Sequence, residues 1–119
     1  MIKVFFAHAI SGPFKGRQFL INPESKTLIG RSNEADIRLG NDPFCSRRHA
    51  TLFWVGDRCF IEDANSTNGT FINQKKITMR TELHNKDTVQ IGGTELVFLT
   101  KDLLDGKQPP EVISPLKKG

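Results

Sequence analysis

Ala50-Thr51-Leu52-Phe53-Trp54-Val55-Gly56-Asp57-Arg58-Cys59-Phe60-Ile61-Glu62 reads as two extended runs folded back on each other. The runs Ala50–Val55 and Cys59–Glu62 are rich in β-branched and aromatic residues, which suit a pleated, half-buried surface. Between them, Gly56 or Asp57 can take positive φ, as a tight hairpin turn requires. Cys59 alternates with Ile61 on one side of the second run, so Cys59 is expected as a small buried apolar residue.

The same pattern extends in both directions. Short apolar or alternating runs recur at Ile2–Ile10, Arg17–Ile21, Thr27–Ile29, Asp36–Leu39, Thr70–Ile72, Val89–Ile91 and Glu95–Thr100, divided by Gly, Pro, Asn and Asp. Ile91-Gly92-Gly93-Thr94 reads as a second hairpin, and Lys75-Lys76, after Asn73, as an exposed turn. No window carries a sustained helical stripe. Many short strands at this spacing predict an all-β sandwich or barrel. Most Phe residues alternate with polar ones and are expected in the core. After Thr100, three prolines, several charges and scattered aliphatics read as a linker or tail. The expected organisation is one domain over residues 1–100 and a tail over residues 101–119, an excerpt of a longer chain.

Composition narrows the class. A chain of 119 residues suits one domain whose core needs no staples. The two cysteines allow at most one bridge, and Cys45, beside Ser46 in a polar turn, allows an exposed thiol. The net charge of +4 favours anionic partners without naming one. Neither a signal peptide nor an apolar run of ~20 residues is present, so an intracellular, soluble protein is expected.

Three turns carry more chemistry than reversal of the chain needs. Gly30-Arg31 ends one run with a glycine, which permits close backbone approach, and a guanidinium, which can donate two parallel bonds to a phosphate. Ser46-Arg47-Arg48-His49 offers a hydroxyl, turn N–H groups and two cations that suit an anion, and His49 is expected to be a structural tie to the neighbouring turn. In Asn65-Ser66-Thr67-Asn68-Gly69-Thr70, four hydrogen-bonding side chains, Asn65 to Asn68, precede the strand that starts at Thr70. Asn offers both a donor and an acceptor, which suits clamping an extended peptide.

Gly30-Arg31, then Ser46-x-x-His49, then Asn68-Gly69-Thr70, then Asp87-x-Val89-x-Ile91-Gly92 resembles the forkhead-associated (FHA) domain over roughly residues 2 to 100. FHA domains are among the phospho-motif readers that use arginine clusters. The resemblance implies a two-sheet β-sandwich of about eleven mostly antiparallel strands with binding loops at one end. It implies a phosphothreonine-containing protein or peptide as partner, and a Ser/Thr kinase upstream. Carried over by position, Arg31 and Ser46 contact the phosphate, Arg47 the peptide, Thr67 the pocket wall and Asn68 the peptide backbone. Gly30, His49 and Gly69 support the site. Neither cofactor nor metal, membrane nor nucleic acid, enters this reading.

Other readings fit less well. A hydrolase triad of Ser46, His49 and Asp63 lacks a nucleophile elbow and spaces Ser46 and His49 badly. A nucleic-acid binder wants aromatics exposed among basic residues on a sheet face. Three His and two Cys lie at no metal-ligand spacing. A phosphate-independent interaction scaffold on the same fold is the remaining alternative.

Overall fold

The computed structural model describes residues 2–103. Their alternation closes into strands β1 (Ile2–Ser11), β2 (Gln18–Ile21), β3 (Thr27–Gly30), β4 (Ile37–Arg38), β5 (Ala50–Val55), β6 (Arg58–Asp63), β7 (Thr70–Ile72), β8 (Lys75–Lys76), β9 (Thr81–Leu83), β10 (Thr88–Ile91) and β11 (Thr94–Leu103). They form a six-stranded sheet, β2-β1-β11-β10-β7-β8, and a five-stranded sheet, β4-β3-β5-β6-β9. Of the pairings, β3 with β4 is parallel and the rest are antiparallel. The expected sandwich of about eleven strands is therefore what the chain forms.

Both expected hairpins are present, with Val55 opposite Arg58 and Ile91 opposite Thr94. The ends of the described chain lie side by side, because β1 pairs with β11 from Ile2↔Leu103 to Ala9↔Leu96. The last strand thus continues to Leu103, three residues into the tail expected over residues 101–119, and residues 104–119 of that tail lie outside the described residues.

Period-two geometry sends Phe5, Ala7, Leu96, Phe98, Val89 and Ile91 inward from one sheet, against Ile29, Leu52, Cys59, Ile61 and Leu83 of the other. Each large apolar side chain removed from water contributes ~1.5–3 kcal/mol. Phe5 packs between two aromatic rings, its centroid 4.4 Å from that of Trp54 and 6.2 Å from that of Phe98.

Three sequence expectations need correction. Phe5 and Phe98 are buried, but Phe53 and Phe60, out of phase with Leu52 and Ile61, stack on the outer face at 5.9 Å. Guanidinium groups cover them: Arg80 lies 4.5 Å from the Phe53 ring, and Arg58, bound to Glu82, lies 5.5 Å from Phe60. Lys75-Lys76 is a short strand rather than a turn. The reversal occurs at Asn73-Gln74, both at positive φ, where the Asn73 amide bonds Asp87 and the Thr88 N–H. Cys45, finally, is 2% exposed. It and Cys59 are free thiols.

Replacing Phe98 by Ala is expected to cost ~3–5 kcal/mol, read as a lower urea midpoint. Leu20→Ala, at a side chain 76% exposed on the outer face, is expected to stay within ~0.5 kcal/mol of the parent.

Candidate functional site

The loops after β3, before β5 and before β7 meet at one end of the sandwich. The first contact is backbone on backbone. A Cβ on Gly30 would lie 2.1 Å from the Arg47 carbonyl oxygen, so no side chain fits there. That proximity lets the Arg31 N–H donate to the Ser46 carbonyl at 2.9 Å, and the Ser32 N–H to that of Arg47 at 3.0 Å. The Arg31 Nε donates to the Cys45 carbonyl at 2.9 Å. The terminal guanidinium nitrogens have no partner among the described residues.

A buried carboxylate holds the middle loop. Asp42, 0% exposed, accepts from the Gly93 N–H at 2.8 Å, the Phe44 N–H at 3.0 Å and the Thr94 hydroxyl at 2.6 Å. It thereby joins the loop of one sheet to the β10–β11 turn of the other. The Cys45 N–H donates to the Asp42 carbonyl at 3.2 Å, a turn that carries the thiol inward. Burial and the nearby Asp42 carboxylate push the Cys45 thiol up to about 11, outweighing the opposing pull of Arg31. Burial alone pushes Cys59 up to about 12. Both thiols are protonated near neutral pH, a poor state for nucleophilic chemistry.

His49 ties the middle loop to the third. Its buried ring accepts the Ser46 N–H on Nδ1 at 3.0 Å. The proton therefore sits on Nε2, which donates to the Gly69 carbonyl at 2.8 Å. The ring thus bridges main-chain groups of the two loops. Asp63, at the end of β6, folds the third loop by accepting from the Ser66 N–H at 3.0 Å, the Ser66 hydroxyl and the Thr70 hydroxyl at 2.7 Å. The Ser66 oxygen in turn accepts the Gly69 N–H at 2.9 Å. Burial works against the charge on Asp63, but the bonds from Ser66 and Thr70 outweigh it and lower its pKa below the usual carboxylate value.

These bonds disperse the imagined triad. Ser46 Oγ accepts the Thr67 N–H at 2.9 Å, both His49 ring nitrogens face main-chain groups, and Asp63 serves Ser66 and Thr70. Among the described residues, no group of three His, Cys, Asp or Glu side chains could hold a metal ion.

The arrangement brings Arg31, Ser46, Arg47, Thr67 and Asn68 to one surface, with Ser46 half-buried and the others exposed. The Ser46 hydroxyl still has its own proton to donate. The Asn68 Nδ2 donates to the Phe44 carbonyl at 2.8 Å, leaving its oxygen and a second N–H unused. Such a set can hold an anion against Arg31 and Ser46 and an extended chain against Asn68. Sequence reasoning missed Asp42 and assigned Asp63 no supporting role. Asp42 stands in a polar Gly-Asn-Asp-Pro turn, where nothing distinguishes it from a surface turn residue.

The family model for the FHA domain matches residues 27–92. The glycogen accumulation regulator GarA of Mycolicibacterium smegmatis is 40% identical over 89 residues, which cover 75% of this chain and 54% of GarA. The chain spans about half the length of the curated relatives it matches first. One solved structure, from an analysis of phosphothreonine-dependent FHA domain interactions, superposes with a TM-score of 0.74 at 29% identity, covering 84% of this chain and 99% of that one. EmbR of Mycobacterium tuberculosis, in complex with a low-affinity phosphopeptide, superposes with a TM-score of 0.72 at 29% identity, covering 81% of this chain and 24% of EmbR.

Two outcomes test this geometry. His49→Ala leaves the Ser46 N–H and the Gly69 carbonyl without partners, at ~1–3 kcal/mol each. The expected result is a lower melting temperature and faster amide exchange at Ser46. Asp63, with its pKa lowered by folding, stabilises the fold above the unfolded-state value of ~3.9 and stops doing so as pH falls through its lower folded value. Urea unfolding of Asp63→Asn should therefore lose part of the acid sensitivity that the parent displays below pH ~4.

Proposed function

This chain belongs to the FHA domain family, and from that premise we propose that it reads phosphothreonine on a protein partner, as a non-catalytic module of intracellular Ser/Thr kinase signalling. Arg31 and Ser46 take the phosphate, Thr67 walls the pocket, Asn68 holds the peptide main chain and Arg47 contacts the peptide beside them. Gly30, His49 and Gly69 maintain the loops.

The observation that carries this reading is the convergence on Ser46. Its carbonyl accepts from the Arg31 N–H, its own N–H donates to His49, and its hydroxyl accepts from the Thr67 N–H. One residue of the middle turn thus sets its distance to both other turns. A phosphothreonine brings about −1.5 to −2 charges and three acceptor oxygens, the complement of a free guanidinium edge beside a hydroxyl proton. Threonine is preferred over serine by one buried methyl group, worth ~0.8 kcal/mol. With charge-assisted bonds of ~1.5–3 kcal/mol each and weak contacts elsewhere, affinity falls in the micromolar range, ~8 kcal/mol.

The relatives support the same reading: one is a regulator by name, and EmbR is complexed with a phosphopeptide. Binding needs no chemical step, and the dispersal of Ser46, His49 and Asp63 onto other partners favours a reader over a hydrolase. No helix among the described residues is long and apolar enough to cross a membrane. The module is taken to end near Leu103, where β11 ends.

Calorimetry with a phosphothreonine peptide tests the proposal. Arg31→Ala is expected to weaken binding by ~10²-fold or more while the domain stays folded, its melting temperature lowered only by loss of the bond to the Cys45 carbonyl. Undiminished affinity in that variant, or equal affinity of the parent for the unphosphorylated peptide, would favour the phosphate-independent scaffold instead.

A further inference from the structure

Beyond Gly69, the exposed edge carries features that neither phosphate recognition nor folding requires. Lys76, on β8, lies across Gly69: its Cε is 2.7 Å and its Nζ 3.5 Å from the position a Cβ would take there. Gly69 stands at φ +88°, a conformation that glycine adopts freely, and its bare Cα leaves room for the lysine stem. The ammonium group thus lies beside Gly69, the residue that follows Asn68 in the turn. Lys75 and Lys76 are both exposed and have no carboxylate partner among the described residues.

The two lysines also line an open groove of about 530 Å³ between the edge of one sheet at β8 and the edge of the other at β9. Its floor is apolar. Ile72 is 8% exposed, Ile77 packs against the core, and Met79 stands 72% exposed at the rim. Hydrogen bonds to main-chain carbonyls hold the lining in place: the Ile77 N–H donates to that of Thr70 at 2.9 Å, and the Thr81 hydroxyl to that of Met79 at 2.9 Å. An exposed methionine on a fixed backbone is an adaptable apolar contact.

Resting on the phosphothreonine reading above, we infer that the partner chain passes from Asn68 over Gly69 into this groove, and that Lys76 selects an acidic residue on that side of the phosphothreonine, with an apolar residue beyond it on Met79 and Ile77. Continuity fixes the direction, since Lys76 borders both the Asn68 turn and the groove. Charge fixes the class of side chain, since two lysines with no carboxylate partner among the described residues border the apolar floor.

Anisotropy titrations with phosphothreonine peptides test this, using an alanine background in which one Glu is walked through the flanking positions. At one position Glu should tighten binding to the parent about fivefold. Lys76→Gln should abolish that gain, Lys76→Glu should reverse it, and Lys in place of the peptide Glu should restore tight binding to Lys76→Glu. Leu placed beyond the selected Glu should add affinity that Met79→Ser removes. A gain that survives both Lys76 variants, or no preferred position at all, overturns the inference while phosphate dependence stands. Loss of phosphate dependence in the parent overturns the underlying reading and this inference with it.

Discussion

The Asp42 carboxylate lies at the base of the site. It is a buried charge without a cation among the described residues, held by the Gly93 and Phe44 N–H groups and the Thr94 hydroxyl. A buried charge in that position is tolerable only while its acceptor sites are filled, so it demands one geometry of the loop. The loop then has little freedom: residues 44 and 45 are fixed relative to the β10–β11 turn, and their carbonyls become usable supports. The Cys45 carbonyl steadies Arg31, and the Phe44 carbonyl steadies Asn68. Two side chains from different turns thus take their positions from one short segment, which takes its own from a carboxylate that faces away from solvent.

His49 and Asp63 complete the frame by different means. His49 spans two loops with one ring, and its neutral tautomer is dictated by having one main-chain donor and one main-chain acceptor as neighbours. Asp63 acts within a single loop, gathering Ser66 and Thr70. All three supports are buried or half-buried, whereas Arg31, Arg47, Thr67 and Asn68 are exposed. On the proposed reading, recognition falls mainly to the exposed residues and rigidity to the buried ones, with Ser46 sharing in both.

This division explains what a reader of the sequence can find. Hairpins at Gly56-Asp57 and Gly92-Gly93 are legible because period and turn chemistry sit within a few neighbouring residues. Arg31, Ser46 and Asn68 are legible because their chemistry exceeds what a turn needs. Asp42 is not, since its partners Gly93 and Thr94 lie 51 and 52 residues away. The burial of Cys45 follows from Asp42 and is hidden with it. Strands β8 and β9 carry two and three residues, too few for alternation to register. Phe53 and Phe60 alternate as core residues do, but their phase relative to Leu52 and Ile61 puts them outside, and composition alone carries no phase.

Three of the side chains proposed to recognise the ligand share a further property: Arg31, Asn68 and Ser46 are each tethered at one atom and free at another. Arg31 is held at Nε and open at its terminal nitrogens. Asn68 uses one N–H on Phe44 and keeps its oxygen, and Ser46 accepts one bond while its proton remains to be given. A long side chain ordered only upon binding forfeits ~0.5–1.5 kcal/mol of the interaction it makes. Here that ordering is done when the domain folds, so a ligand meets donors already aimed. If the site takes a phosphorylated chain as proposed, the consequence is specificity without great strength: a small, prepared set of polar contacts discriminates for a charged group while the surface around it adds little affinity.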